Sequence, residues 1–187
     1  DIEFGTIDAL QKLFPPREFV PFIVTDKVMR TPTMVEMQLR PLGENLRFWP
    51  GQYVMIGDER VGAPLRSYSI ANAPRPDGEL HLLITKVEGG RTSTWVHEKV
   101  SVGDQLLVHG PYGTFVGDPS VETPVLCLAS GSGLAPILGL ADGALRRGFT
   151  WGTTLVFSAR TEADVFDQGL MAWWSRKHRT FRSIVTY

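Results

Sequence analysis

The chain has 187 residues, a formal net charge of −1 and 43% hydrophobic residues, enough for one large or two small domains with a sizeable core. The near-zero charge excludes a broad basic surface, so we expect no nucleic-acid partner. Its single cysteine, Cys127, excludes an internal disulfide and a cysteine-ligated iron–sulfur cluster.

The sequence contains no stretch that predicts a membrane segment. No apolar run reaches the ~20 residues that a membrane helix needs, and no signal-peptide pattern opens the chain. We therefore expect a cytoplasmic protein without membrane insertion. Residues 1–16 carry one short helical pattern that ends at Pro15 and Pro16, and we interpret it as a lead or linker.

Residues 17–118 have the signals of a small all-β unit. Short alternating runs are separated by turns that contain Pro, Gly and Asp. Six short strands at this spacing predict a closed or nearly closed antiparallel barrel. The predicted strands are residues 19–28, 34–39, 52–56, 66–70, 80–86 and 106–109.

The fourth predicted strand carries an unusual combination of side chains. Arg66 and Tyr68 share one face, and Ser69 lies on the other face or at the strand's end. A guanidinium group, an aromatic ring and a small hydroxyl suit a ligand with a phosphate and a planar ring system. An ordinary edge strand explains the same tripeptide equally well.

One helix interrupts the barrel after Gly89 and Gly90. Thr92 or Ser93 is a natural N-cap, and Arg91 adds a cation. Glycines next to a helix N-terminus predict a site for a phosphate or pyrophosphate. Taken alone, the motif is more often a plain Gly-rich loop with a capped helix.

Residues 119–187 change to a strand–helix–strand pattern. We predict strands at 124–129, 153–157 and 181–187 and helices at 137–147 and 162–177, the start of a doubly wound parallel sheet. The run 124–129 is continuously apolar, which predicts a strand covered on both faces with Cys127 as a small core residue. Gly131, Ser132 and Gly133 fall at the first strand-to-helix turn, where a dinucleotide binds in such sheets.

Five motifs in this order resemble the ferredoxin–NADP reductase superfamily. The likeness covers residues 18–187 and is closest to the NAD(P)H:flavin reductase modules that serve bacterial oxygenases. The motifs are Pro50-Gly51-Gln52-Tyr53, Arg66-Ser67-Tyr68-Ser69, Gly90-Arg91-Thr92-Ser93, Gly110-Pro111-Tyr112-Gly113 and Gly131-Ser132-Gly133-Leu134-Ala135-Pro136.

The resemblance implies a six-stranded flavin-binding β-barrel at 17–118 and a doubly wound α/β NAD(P)-binding domain at 119–187. The latter is incomplete, because the family's domain continues beyond Tyr187. Arg66 would meet the flavin's phosphates, Tyr68 would pack on the ring, and Ser69 would lie near the flavin N5. Tyr68 and Ser69 are thus the expected catalytic residues.

The remaining site residues also follow from the resemblance. Gly90, Arg91, Thr92 and Ser93 would hold a pyrophosphate, which favours FAD over FMN. Ser67, Ile84 and the backbone of Lys86 complete the flavin side. Gly131, Ser132, Gly133 and Pro136 match the nicotinamide turn, and Arg160 matches a position near the adenosine ribose. Glu162 and Asp164 beside Arg160 favour NADH over NADPH.

The implied function is hydride transfer from NAD(P)H to FAD, followed by single-electron transfer to a separate ferredoxin-type iron–sulfur protein or oxygenase component. No acid–base pair is required, and the four histidines have no metal-ligand spacing, so no metal is expected. Two alternatives stay open. One is a flavin-binding relay or regulatory subunit that does not oxidise NAD(P)H, and the other is a flavin-free interaction module.

Overall fold

The computed structural model describes residues 13–118 and 120–187. The helical pattern predicted at 1–16 therefore lies almost wholly outside the described residues. Across those two ranges, every helix is too short or too polar to cross a bilayer.

The larger part of the structure is a six-stranded antiparallel sheet in the order β4-β3-β6-β1-β2-β5. The sheet curls until its end strands, β4 and β5, meet at a bridge between Ile70 and Leu82. The Ala71 N–H also donates to the His81 carbonyl at 2.8 Å. The predicted, nearly closed barrel is confirmed. Its strands are β1 Arg17–Thr31, β2 Met34–Pro41, β3 Tyr53–Asp58, β4 Ala63–Ser69, β5 Leu80–Thr85 and β6 Gln105–Tyr112.

Strand β2 is buried on both faces. Val35, Met37 and Leu39 point into the barrel core, as their alternation predicts. Met34, on the opposite face, belongs to a second core that the α/β part of the chain supplies. The outer surface of the barrel therefore packs against the second unit.

Helix α1, Arg91–Glu98, lies between β5 and β6 in the chain and is fixed at its C-terminal end. The Lys27 ammonium donates to the carbonyls of Val96, His97 and Val100 at 2.7, 2.9 and 2.6 Å. These groups have no intrahelical partners, so a cation there satisfies them and the helix dipole together. The anchor fixes where the helix N-terminus points.

The second unit is a parallel sheet in the order β7-β8-β9. Helices α2 and α3 connect its strands and pack on one face, around the buried Leu155, Phe157 and Phe181. The predicted beginning of a doubly wound sheet is confirmed. The elements are β7 Val125–Ser130, α2 Leu134–Arg146, β8 Thr153–Ser158, α3 Gln168–Lys177 and β9 Phe181–Thr186.

Two sequence predictions for this unit are wrong. The helix expected at 162–177 is a short 3-10 turn, Glu162–Asp164, followed by α3, because Asp167 adopts a left-handed φ of 56° that no α-helix accommodates. Strand β7 was expected to be covered on both faces, but Leu126 and Leu128 are 63% and 66% exposed. Cys127, on the other face, is partly buried.

Candidate functional site

Strand β4 places its three predicted site residues as alternation requires. In the register with β3, Arg66 lies opposite Ile56, Tyr68 opposite Val54 and Ser69 opposite Tyr53. Tyr68 packs against the barrel core. The Arg66 side chain is exposed, and its Nη1 donates to the neighbouring Leu65 carbonyl at 2.8 Å, which leaves most of its donor fork for a ligand.

The Tyr68 phenol is neutral at physiological pH. Burial raises its pKa above the ordinary value, and the positive charge of Arg66 lowers it by a smaller amount. Tyr68 therefore offers a flat ring and a hydroxyl donor but no proton-transfer chemistry near neutrality.

Two tyrosines to which the sequence motifs assigned no role lie in line with Ser69 on the next two strands of the sheet. Tyr53 pairs with Ser69 on one side and with Tyr112 on the other, and the two tyrosine rings lie 5.8 Å apart. A Cβ on Gly113 would come within 3.0 Å of the Tyr53 ring, so this glycine keeps that ring in place. Ser67 lies on the same side of β4 as Ser69 and is exposed.

The start of helix α1 differs from the prediction that Thr92 or Ser93 caps it. Gly90 is the N-cap and has no side chain to bond. The Thr92 hydroxyl instead donates to the Pro64 carbonyl. The Ser93 hydroxyl accepts from the Val87 N–H at 3.0 Å. Both hydroxyls therefore stabilise the loop, and the role of Thr92 and Ser93 at a pyrophosphate stays a prediction.

What α1 offers to an anion is its backbone and Arg91. The first-turn N–H groups of a helix have no intrahelical partner and lie at the positive end of its dipole. Gly89 has a φ of +71° and open space around it, and a groove of about 770 Å³ runs between the Gly89–Gly90 turn, Arg91 and the facing Val61 and Gly62. The bond from Thr92 to Pro64 fixes this helix start two residues from Arg66.

The side chains of two predicted site residues, Ile84 on β5 and Lys86 just beyond it, do not point into this groove. Ile84 is fully buried in the barrel core, and its carbonyl pairs with the His97 Nε2 at 2.7 Å. Lys86 is paired with Glu98 at 2.7 Å, and its N–H donates to the Thr33 carbonyl at 2.7 Å. Any contribution of Ile84 or Lys86 to a ligand comes from the remaining backbone groups.

The predicted nicotinamide turn follows β7 directly. Gly131, Ser132 and Gly133 form an exposed 3-10 turn that leads into α2, and Pro136 lies in the first turn of that helix, where a missing N–H costs nothing. Gly131 has a φ of +51°, and a Cβ on Gly131 or Gly133 would find nothing within 4 Å. The backbone is thus open to close approach by a ligand.

Arg160 lies at the same edge of the parallel sheet, just past the end of β8. The chain is held there by the Ala159 N–H, which donates to the Thr186 carbonyl at 2.9 Å. The Thr161 hydroxyl donates to Asp164 at 2.9 Å within the acidic 3-10 turn. The glycine turn and Arg160 therefore both lie beyond the carboxyl ends of the strands, where open α/β sheets bind ligands.

The two halves of the site meet at the junction of β4 and β5. Cα atoms of the Gly131–Gly133 turn come within 8 Å of those of β5. Leu134, the first residue of α2, shares a buried cluster with Leu83 of β5. Leu83 follows Leu82, whose bridge partner Ile70 follows Ser69. The fold thus brings the glycine turn against β5, the strand that bridges the residue after Ser69.

The chain belongs to the oxidoreductase FAD-binding domain family, which matches residues 21–116, about half of the chain. The residues fit that cofactor. A phosphate binder needs cations and free N–H donors, which Arg66, Arg91 and the start of α1 supply. A flavin ring needs a flat partner, which Tyr68 supplies.

Individual relatives are reductase components of oxygenases. The chain is 36% identical over 127 residues to the ferredoxin–NAD(P)+ reductase component of naphthalene 1,2-dioxygenase/salicylate 5-hydroxylase systems from Ralstonia sp., covering 68% of this chain and 38% of the relative. It is 32% identical to reductase component 1 of terephthalate 1,2-dioxygenase from Comamonas sp., covering 86% and 47%.

The crystal structure of an Amycolatopsis cytochrome P450 reductase has the same architecture. It superposes with a TM-score of 0.84 at 30% identity, covering 91% of this chain and 52% of that one. The chain therefore spans about half or less of the length of each of these three proteins.

Proposed function

We propose that the protein is a flavin-dependent oxidoreductase in which residues 17–118 bind FAD and residues 119–187 receive NAD(P)H. Bound FAD would supply the chemistry, accepting a hydride from the nicotinamide and releasing electrons singly. The observation that carries the proposal is the position of the Gly131–Gly133 turn against β5, whose Leu82 bridges Ile70, the residue that follows Ser69. Two ligand sites at one junction allow two rings to be aligned, which is the protein's main task in such a reaction.

Each residue of the flavin side has a distinct role in this proposal. Arg66 and the first-turn N–H groups of α1 bind the phosphates of FAD, and Arg91 contributes a second cation. Tyr68 packs on the isoalloxazine and ribityl region. Ser69 offers a hydroxyl hydrogen bond near N5. Tyr53 lies opposite Ser69 on the neighbouring strand, and Tyr112 supports Tyr53 from the strand beyond.

On the other side, the open backbone of Gly131, Ser132 and Gly133 receives the nicotinamide half of the dinucleotide. Arg160 approaches the adenosine ribose. Glu162 and Asp164, both in the short turn that follows, disfavour a 2′-phosphate, so we propose a preference for NADH over NADPH.

The acceptor is a separate ferredoxin-type iron–sulfur protein or oxygenase component. The names of the relatives support this, since they are reductase components of dioxygenase systems. We place the protein in the cytoplasm, where NAD(P)H is available.

The direct experiment uses absorbance of the purified protein loaded with FAD. We expect a yellow protein that NADH bleaches in the absence of oxygen, faster than NADPH at equal concentration. A yellow protein that neither nucleotide bleaches would contradict the oxidoreductase and support a relay subunit. A protein that takes up no FAD on reconstitution would contradict both and support an interaction module.

The phosphate role of Arg66 has its own test. Arg66→Ala should weaken FAD retention by at least about tenfold, the effect of losing a charge-assisted contact, and should slow reduction of the flavin that remains bound far less. Arg75→Ala is the matched control, because Arg75 is paired with Asp77 on a distant loop. Equal retention of FAD by the two variants would exclude the phosphate role.

A further inference from the structure

Helix α2 contacts the barrel through two glycines one turn apart. A Cβ on Gly139 would lie 2.8 Å from the Ile70 carbonyl oxygen and 3.6 Å from the Gly51 nitrogen. A Cβ on Gly143 would lie 2.7 Å from the Pro50 Cγ. Separations under 3.0 Å are closer than van der Waals contact permits, so any larger residue at either position must displace the helix or its neighbour.

A directed hydrogen bond lies between these two glycines. The Asp142 carboxylate accepts from the Ala73 N–H at 2.9 Å with one oxygen and from the Arg146 Nε at 2.9 Å with the other. Asp142 is mostly buried, with a side-chain exposure of 14%. A charge-assisted bond to a backbone amide is stronger and more specific in geometry than apolar contact alone. It fixes the register of α2 along the strand end.

Two of the barrel residues in this contact, Ile70 and Ala73, belong to the segment that carries Ser69, and the other two, Pro50 and Gly51, form the turn before β3. Ile70 follows Ser69 directly, and Ala73 lies four residues from it. Ile70 is itself held by its N–H, which donates to the Gln52 carbonyl at 3.0 Å. The contact therefore rests on a fixed part of the barrel and not on a loose loop.

The other end of α2 carries the nicotinamide turn. Six residues separate Gly139 from Gly133, about 9 Å along a helix. Because a helix transmits displacement along its axis as a rigid element, a shift at Gly139 moves the Gly131–Gly133 turn. Leu134 is fully buried in the same cluster as Leu83, so the N-terminal end of α2 is packed against β5.

We propose that Gly139, Asp142 and Gly143 are positioning residues that set the distance and angle between the nicotinamide turn and Ser69. This inference rests on the proposed function. The three residues touch neither cofactor, and they act through the placement of α2. A displacement of about 1 Å in the alignment of reacting groups costs on the order of a hundredfold in rate, so a single added methyl group should be visible.

The experiment compares Gly139→Ala and Gly143→Ala with Gly169→Ala in the FAD-loaded full chain. Gly169 is a matched control, because it also lies in a helix and a Cβ there would find nothing within 4 Å. We expect Gly139→Ala to lower the anaerobic rate of flavin reduction at saturating NADH at least about tenfold. Gly143→Ala should have a smaller effect, since the Pro50 ring can shift further than a backbone carbonyl. FAD affinity and the KM for NADH should stay within about twofold of the wild type.

A spectroscopic signature separates positioning from loss of structure. Saturating NAD+ should perturb the visible flavin absorption of the wild type and Gly169→Ala equally, and that of Gly139→Ala less. Equal perturbation together with an unchanged reduction rate in Gly139→Ala would overturn the inference. A fall in FAD affinity that accounts for the whole loss of rate would overturn it as well.

The hydrogen bond of Asp142 gives a readout that needs no turnover. Asp142→Ala should accelerate amide hydrogen exchange of Ala73 and slow flavin reduction, and Asp142→Asn, which keeps a carbonyl acceptor, should restore most of both. If Asp142→Asn restored slow hydrogen exchange at Ala73 but not the rate of flavin reduction, the positioning role of this bond would be contradicted.

The outcomes for the wild type distinguish the two proposals. A wild-type protein that binds FAD but is reduced by neither nucleotide overturns the proposed function and this inference with it. A wild-type protein that is reduced, together with a folded Gly139→Ala that is reduced at the same rate, overturns the inference alone.

Discussion

The two sheets of this protein are covered differently. In the barrel, the first half of strand β2 is buried on both faces, because one face lines the barrel core and Met34 on the other joins the core of the α/β unit. In the parallel sheet, β7 is covered only on the face that carries Cys127, and Leu126 and Leu128 are exposed on the other. A strand with alternating polar residues is thus covered on both faces over its first half, and the more apolar β7 is covered on one face only.

The difference teaches that burial is set by what packs on a strand. The face of the parallel sheet formed by Leu128, Val156 and Ile184, which are neighbours across the three strands, is apolar but receives no helix among the described residues. Both connections, α2 and α3, lie on the opposite face. The barrel, by contrast, closes on itself and needs little from outside to complete its core.

The largest expected effect is a direct contrast between the two sheets. Leu82→Ala in the barrel should lower the free energy of unfolding by about 2–5 kcal/mol, because Leu82 is fully buried and leaves a cavity at the bridge with Ile70. Leu128→Ala should change it by no more than about 0.5 kcal/mol. Urea unfolding of both variants of the 187-residue chain measures this, and equal losses would break the contrast.

Sequence patterns predicted the fold well wherever local periodicity decides it. The six barrel strands, the three parallel strands and the first helix of the α/β unit were all anticipated. The prediction failed at Asp167, where a left-handed residue divides a helical pattern, and at Leu126 and Leu128, whose cover depends on elements distant in sequence. Neither a single backbone angle nor long-range cover is visible in hydrophobic periodicity.

For the candidate site, residue types were easier to anticipate than the partners of their side chains. Thr92 or Ser93 was predicted to cap α1, but Gly90 is the N-cap, and the two hydroxyls bond to Pro64 and Val87. Gly139 and Gly143 were not singled out from the sequence, although two glycines four residues apart lie on one helix face and allow close packing. The three bonds of Lys27 left no sequence signal, because they join residues about 70 positions apart.

The second prediction concerns the hydrogen bonds by which Lys27 holds the C-terminal end of α1 against the barrel. Lys27→Met should cost about 2 kcal/mol, because three helix carbonyls lose their cationic donor. It should also weaken FAD retention, since the N-terminus of α1 shifts. Lys177→Met is the control, because Lys177 lies over the Trp173 ring at the surface of the other unit. The anchor is refuted if both variants unfold at the same urea concentration.

The third prediction concerns the pH dependence of stability at the contact between the two units, where Asp167 of the α/β unit lies near Glu36 of the barrel. Burial, and then the nearby Glu36, raise the pKa of Asp167 from 3.8 to about 6, while Arg30 and His81 lower it by less. The folded protein therefore keeps a proton that the unfolded chain has released. The stability from Asp167 is complete below about pH 4 and is lost as the pH rises through about 6.

Asp167→Asn should remove this dependence and keep the left-handed backbone, which Asn tolerates. The unfolding free energy of the wild type relative to the variant should fall by about 2 kcal/mol between pH 4 and pH 7. Asp77→Asn is a control with no such trend, because ion pairing with Arg75 lowers the pKa of Asp77 to about 2 and it is ionised throughout that range. If the unfolding free energies of the wild type and Asp167→Asn changed in parallel with pH, a proton held by Asp167 in the folded protein would be excluded.

The smallest expected effect is a difference in thiol reactivity between the two faces of β7, which tests whether only one of them is covered. Burial raises the pKa of the Cys127 thiol, so less of the reactive thiolate is present near neutral pH, and the covered face also limits access. Iodoacetamide should therefore label Cys127 slowly in the native protein. In a Cys127→Ser background, Leu128→Cys places a thiol one residue along the strand on the exposed face and should react at the rate of a free thiol. Similar labelling rates at these adjacent positions would mean that both faces of β7 are equally accessible, and the difference in cover between the two sheets would then be wrong.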